Sequence, residues 1–252
     1  MPEISTVIIT NNNEKNIERC LTSVKPVSEE IIVVDSYSAD ATPEICKKHP
    51  EVKFYQKELT SAGDQKNYGI SKTSNDYIFS IDANEELSPG LLNHLAVNRE
   101  QFTKFAYAFR TLNHIGSEAI EHGLWYPNER IRLFRKDKGL WETGVLRERV
   151  LPEPGVKPVK IPLHINRYEF STIQEFRRDS EEYARWWAEH KLEAGEKAGA
   201  LSAIFRATLT FLRSFFIKLA FLDGITGVQV SVQNTRETYL KYKALRLQNK
   251  HG

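Results

Sequence analysis

The chain has 252 residues, 40% of them apolar, and its 35 basic and 33 acidic residues leave a formal charge of +2. That length and apolar content can build the core of one large α/β domain with appendages, or of two modest domains, and they argue against a disordered chain. The near balance of charge excludes the broad basic footprint of a nucleic-acid-binding protein.

Met1-Pro2-Glu3-Ile4 leads straight into a strand, without the basic and apolar regions of a secretory signal, and this predicts a cytoplasmic protein. Residues 5–10 form a β-branched run that ends in Asn11-Asn12-Asn13, a polar cluster suited to capping a helix. Ile17, Cys20, Leu21 and Val24 follow at the spacing of one helical face. Residues 30–35 repeat the buried-strand pattern, Thr42-Pro43-Glu44 starts a second helix with proline in its first turn, and residues 52–55 read as a third strand. A loop over 56–64 leads to a helix over 65–74 and then to an apolar strand over 76–81 that delivers Asp82. Strands alternating with helices in this way predict βαβ units in a mainly parallel sheet, with the ligand crevice at the carboxyl ends of the strands. Cys20 and Cys46 are the only cysteines, and each is expected as a small buried apolar residue with a reduced thiol.

After Ser88-Pro89, a helix start, the pattern changes. Residues 105–113, 130–135 and 145–151 read as strands or hairpins of an α+β half. From Thr172 onward the chain is helical, with candidates over 175–191, 200–222 and 228–249. The most hydrophobic of these, 200–222, is interrupted by Arg206, Arg213 and Lys218, so it lacks the roughly 20 uninterrupted apolar residues of a spanning helix. Three cations and no acid suit it instead to an interfacial helix on anionic lipid, with a helix docked on the domain as the alternative.

The residues at the strand ends carry the chemistry. In Ser80-Ile81-Asp82-Ala83-Asn84-Glu85-Glu86, Asp82 ends a buried strand, where a carboxylate can hold a divalent ion against a diphosphate, and Asn84 offers an amide oxygen without the anionic attraction. Thr10, Asn12 and Glu14 follow the first strand and present polar groups to a base and ribose, or else cap a helix. Asp35 ends the second strand and accepts hydrogen bonds either from a nucleobase or ribose, or from its own turn with Ser36 and Ser38. Lys66 has the charge to meet a diphosphate, or else is a solvated side chain on a polar helix. Trp125 and Tyr126 read as a sugar platform or as core aromatics, and Arg132 reads as a phosphate contact or a solvated strand charge.

Seven segments carry a family resemblance. They are the strand and loop from Val7 to Ile17, Val33-Val34-Asp35-Ser36-Tyr37-Ser38-Ala39-Asp40, Gln65-Lys66-Asn67, Ser80-Ile81-Asp82-Ala83-Asn84-Glu85, Trp125-Tyr126-Pro127, Ile131-Arg132-Leu133-Phe134-Arg135 and Phe221-Leu222-Asp223-Gly224. Together, in order and spacing, they resemble a family-two inverting glycosyltransferase of the GT-A fold, similar to bacterial lipopolysaccharide core β-glucosyltransferases. The resemblance implies an α/β nucleotide-diphospho-sugar transferase fold with a mostly parallel central sheet and a helical C-terminal extension. Its expected divisions are a nucleotide-sugar half over 1–98, an acceptor-side half over 99–170 and helices over 171–252. It implies Mg2+ or Mn2+ held by Asp82, Asn84 and His164. It places the donor, with UDP-glucose favoured, on Thr10, Asn12, Glu14, Asp35, Lys66, Asp82 and Arg132. Glu148 would be the base that accepts the acceptor proton, with Glu85 and Glu86 as alternative acids. The acceptor implied is a lipid-linked saccharide of lipopolysaccharide or a similar glycan, reached from the inner face of the cytoplasmic membrane, with no nucleic acid involved. Asn11, Asn13, Asn84 and Arg147 depart from the family pattern, so a nucleotide-sugar-binding or scaffolding homologue with impaired catalysis is the alternative.

Overall fold

A computed structural model describes residues 2–145, 148–152, 155, 157–199 and 201–248. Contacts divide the chain into two units, residues 1–111 with 128–167, and 112–127 with 168–252. The chain crosses between them three times, at 111/112, 127/128 and 167/168.

The first unit opens with β1 (Ile4–Thr10), α1 (Ile17–Val24), β2 (Glu30–Asp35), α2 (Thr42–Lys47), β3 (Val52–Gln56), α3 (Ala62–Ser71) and β4 (Tyr77–Asp82). The short β5 (Glu85–Leu87) and α4 (Pro89–Val97) come next, then β6 (Ala106–Ile115), whose far end belongs to the second unit along with β7 (Glu118–Ile120). The first unit resumes with β8 (Asn128–Arg135), β9 (Gly139–Trp141), β10 (Val150–Pro152) and β11 (Val159–Phe170). Strands β3, β2, β1 and β4 lie side by side and parallel, and β8, β6, β11 and β5 continue the order. The parallel half follows the expected βαβ pattern, because β1, β2 and β4 are apolar on both faces, as strands covered on both sides by helices must be.

Alternation along these strands sorts the core into two layers. Ile4, Ile8, Ile31, Val33, Phe79, Ile81 and Leu133 face one layer with Ile17, Leu21 and Leu91. Val7, Ile32, Val34, Ile78 and Phe134 face the other with Ile70 and Trp141. Asp82 and Arg132 keep the parity of Ile78 and Phe134, so both point to the layer that α3 covers. That helix sits very close to the sheet, since a methyl group on Gly69 would lie 2.4 Å from Val7 Cγ1.

Two expected elements differ. The strand over 145–151 is not formed as one piece: only Val150–Pro152 pairs, antiparallel to β9, and Glu148 and Arg149 precede it in irregular chain. Leu146 and Arg147 lie outside the described residues. The helix over 200–222 is broken. In the second unit α5 (Ile173–Glu193) is followed by α6 (Ser202–Leu212), a π turn over Arg213–Ile217, a 3-10 turn over Ala220–Asp223 and α7 (Gly224–Gln248). The break falls at Leu219, whose φ of 54° is left-handed. Both α5 and α6 pack along α7. Asp223 accepts the His122 backbone N–H at 2.8 Å and pairs with His122 Nδ1 at 2.6 Å, which gives the Asp223-Gly224 motif a structural task. Trp125 packs on Phe176 and Phe170 at centroid distances of 4.8 and 6.4 Å, as a core aromatic of this unit.

Candidate active site

Within the first unit, three neighbouring strands end on one edge. Thr10 of β1 stands opposite Asp35 of β2, and Ile9 stands opposite Asp82 of β4. This is the edge at which parallel sheets bind ligands.

The loops after β1 and β2 are laced together. Asn12 N donates to Ser38 Oγ at 2.8 Å and Asn12 Oδ1 accepts from Ala39 N at 2.8 Å. Glu14 N donates to Asp40 at 3.0 Å, and the Glu14 carboxylate accepts from Ala41 N at 3.1 Å. Asn12 and Tyr37 both hold positive φ, and Tyr37 is left 62% exposed. A large bare aromatic fixed at this rim offers a stacking face that sequence reading did not single out. Asp35 is fully buried, and its carboxylate accepts from Ser38 N at 2.9 Å and Gln56 Nε2 at 3.1 Å, so it closes its own turn and braces β3. Thr10 Oγ1 is buried with no hydrogen-bond partner among the described residues.

The first turns of α3 organise the opposite wall. Ser61 caps the helix by accepting from Asp64 N, and the next three polar residues then point to three different partners. Gln65 Nε2 donates to the carbonyls of Lys57 and Glu58 at 2.8 and 3.0 Å. Asn67 donates to Trp141 O and accepts from Trp141 N, both at 2.9 Å, which pins β9 to the helix. Lys66 is 1% exposed, with Nζ 2.7 Å from Glu148 Oε1, 2.9 Å from Asp82 Oδ1 and 4.1 Å from the centroid of the Trp141 ring. A buried ammonium therefore joins the two carboxylates singled out in the sequence, 66 residues apart along the chain, and Trp141 covers it.

Arg132 holds the other side of Asp82. Its guanidinium lies 2.7 Å from Glu85 and 3.9 Å from Asp82 Oδ2. Glu85 in turn accepts from Asp82 N at 3.0 Å. Burial opposes ionisation of Asp82, but Lys66, Arg132 and Arg167 outweigh it and hold the carboxyl well below the usual range. Glu85 moves the other way: burial, with Asp82 adding to it, raises its carboxyl against the pull of Arg132. Glu86 lies on β5, 3.4 Å from Arg19 and within 3.4 Å of Asn166 Nδ2.

A cavity of about 340 Å³ opens beside Glu148, lined by Arg130, Trp141 and Arg149 among others. Trp141 Nε1 is buried without a partner among the described residues, and Trp141 and Arg130 are further site residues that sequence reading missed.

Asp82 Oδ1 is buried with Lys66 Nζ 2.9 Å away, and a carboxylate oxygen that meets one cation keeps a second lone pair for another. No group of three or more His, Cys, Asp or Glu side chains converges as a metal site among the described residues. One carboxylate with an amide oxygen fits an ion shared with substrate phosphates, which is how Mg2+ is often held, and does not fit a resident ion caged by protein. His164 stands on β11 between Leu163 and Ile165, whose side chains face the core, so it projects from the other face of that strand.

The comparisons with known proteins bear on this geometry. The profile of glycosyl transferase family 2 matches residues 5–146. An uncharacterised glycosyltransferase of Rickettsia typhi is 27% identical over 98% of this chain and 87% of its own length. The lipopolysaccharide core biosynthesis glycosyltransferase LpsC of Rhizobium meliloti is 23% identical over 89% of this chain and 84% of its own. Among solved structures, a mannosyltransferase from Pyrobaculum calidifontis in complex with GDP-Man and Mn2+ shares the fold, with a TM-score of 0.54 and 13% identity over 95% of this chain and 87% of that one. The chain thus belongs to glycosyl transferase family 2, an enzyme of the GT-A fold that transfers a glycosyl group.

Proposed function

We propose that the enzyme moves a hexose, with inversion, from a nucleotide diphosphate sugar to a lipid-linked saccharide acceptor of lipopolysaccharide or a related surface glycan, with UDP-glucose the favoured donor. The observation that carries this reading is Lys66 Nζ, seated between Asp82 and Glu148 at 2.9 and 2.7 Å. The pathway is supported by the similarity to LpsC.

In this reading the donor lies along the edge formed by Thr10, Asn12, Glu14 and Asp35, with its diphosphate toward Asp82 and Lys66. Glu148, held by Lys66, faces the cavity beside Trp141 and takes the proton of the acceptor hydroxyl. The hydroxyl oxygen bonds to the anomeric carbon on the face opposite the diphosphate, and the C–O bond to the diphosphate breaks with its electron pair leaving on the nucleotide. Asp82 and the Asn84 amide oxygen, with His164 the proposed third ligand, would hold Mg2+ or Mn2+, which when bound neutralises charge on the diphosphate. Arg132 acts here through Glu85, fixing the turn that carries Asp82.

The test is nucleotide release from UDP-glucose with Mn2+, with and without a core saccharide acceptor. Release that depends on acceptor and is lost in Glu148→Gln is expected. Absence of both release and thermal stabilisation across UDP-glucose, UDP-GlcNAc and GDP-Man would overturn the reading.

A further inference from the structure

The second unit carries a large bare apolar face. Leu201, Phe205, Phe216, Ile217, Leu222 and Ile225 are each more than half exposed, and Ile225 reaches 79%. Single exposed apolar side chains are ordinary on a soluble protein, but six such residues between the start of α6 and the first turn of α7 mark an interaction surface. On α6 this face includes a nearly wholly apolar hollow of about 530 Å³ at Leu201, Ile204, Phe205 and Thr208.

Beside it lies a cavity of different character. Arg206, Arg213 and Lys241 line about 420 Å³ together with Trp187, Tyr242 and Leu209. Leu209 is itself 48% exposed and links the cavity to the apolar face. Lys241 is neutralised by Glu237 one turn earlier on α7. Neither Arg206 nor Arg213 pairs with a carboxylate among the described residues, and the Arg206 guanidinium rests 4.5 Å from the centroid of the Tyr242 ring. No acid occurs from residue 197 to residue 222. Two uncompensated guanidiniums in an aromatic-walled recess, next to exposed Phe, Leu and Ile, match the two layers of a lipid surface, phosphate above acyl chain.

The geometry favours lying on a membrane over crossing it. Among the described residues no single helix is long and apolar enough to cross. The segments Ser202–Ile217 and Ala220–Leu247 pass that test only as a pair bent by 71°. The bend is anchored within the unit by the buried contact of Ser214 Oγ with Ser231 Oγ at 2.6 Å. A second copy of the chain is a poorer occupant, because a surface without acid offers its like no counter-charge.

We propose that residues 201–225 dock on an anionic phospholipid bilayer, with Phe205, Phe216, Ile217, Leu222 and Ile225 entering the acyl boundary and Arg206 and Arg213 binding a lipid phosphate. This surface is independent of the donor chemistry at Asp82, so either reading can fail alone.

Flotation of the full chain with vesicles of phosphatidylcholine, and of phosphatidylcholine with a quarter phosphatidylglycerol, tests it. Wild type is expected to float with the anionic vesicles and much less with the neutral ones. Arg206→Gln combined with Arg213→Gln should lower anionic partitioning roughly 30-fold, at about a factor of five per cation, without changing the melting temperature. Phe205→Ser combined with Phe216→Ser should abolish binding to both vesicle types. Equal partitioning of the double arginine variant and wild type would overturn the proposal. So would stabilisation by inorganic phosphate without flotation, which points to a soluble phosphate ligand. So would a dimer in light scattering that Phe205→Ser dissolves while no vesicle binding occurs.

Discussion

A buried ammonium between two carboxylates holds only while all three charges are present, because removing one leaves the others desolvated and unpaired. Lys66 is in that position, with Asp82 and Glu148 both within 3 Å and mostly buried. Lys66→Met is expected to lower stability by about 3–5 kcal/mol in urea unfolding, far more than a surface lysine substitution. Glu148→Gln removes one of the three charges but keeps a hydrogen-bonding side chain of the same shape and leaves Lys66 paired with Asp82, so it should lower the melting temperature less than Lys66→Met while reducing turnover roughly a hundred- to ten-thousand-fold. Asp82 carries a pH signature. Its folded carboxyl titrates below an unfolded value of about 3.9, so its contribution to stability is complete above about pH 4 and fades as the pH falls through the lowered folded value. Comparing acid unfolding of wild type and Asp82→Asn should show the two converging only below that pH. Asp82 and Glu148 were legible as candidates from strand-end position and family pattern. The burial of Lys66 was not, because a lysine between Gln65 and Asn67 reads as a solvated helix face until β9 and the segment before β10 close over it.

At the scale of elements, the parallel half is held by contacts that tie one strand to the next. Glu30, at the start of β2, accepts from Ser5 Oγ of β1 at 2.6 Å, from Lys53 of β3 at 2.6 Å and from Ser74 N at 2.8 Å. Burial alone would raise its carboxyl, but Lys53, Ser5 and Ser74 bring it down to about 2. This stabilisation is present in full above pH 4.5 and is lost between 4.5 and about 2. Glu30→Gln should therefore cost about 1–3 kcal/mol at pH 7, and the gap to wild type should close as pH approaches 2 in denaturant titrations. Gly69 sets the approach of α3 to β1. Gly69→Ala gains helix propensity of about 1 kcal/mol, yet a Cβ 2.4 Å from Val7 Cγ1 should make the change a net loss of about 1–3 kcal/mol, read as a lowered melting temperature. The apolar strands and the helix starts at Thr42-Pro43 and Ser88-Pro89 could be read from the sequence because burial on both faces and proline in a first turn are local signals. The break in the 200–222 helix could not, since Leu219 takes its left-handed conformation without a glycine to announce it. The pairing of Val150–Pro152 alone was equally hidden, because its partner β9 is only three residues long.

For the whole molecule, the sequence carried the fold class and the alternation of strands and helices in the parallel half, because the first hundred residues build that half from near neighbours in the chain. The second unit draws residues 112–127 together with 168–252, a grouping set by contacts distant in sequence that no local period encodes. Trp125 illustrates it, for its partners Phe170 and Phe176 lie 45 and 51 residues further on. The donor site proposed for the first unit rests on a single arrangement, in which the Asp82 carboxylate and Lys66 ammonium would meet a nucleoside diphosphate at the ends of β1, β2 and β4. Calorimetric titration of UDP with Mn2+ into wild type and Asp82→Asn tests this directly. Metal-dependent binding in wild type that weakens at least about ten-fold in Asp82→Asn, with the melting transition still cooperative, is the expected result. Equal affinity in both proteins, or binding indifferent to Mn2+ and to the substitution alike, would contradict it.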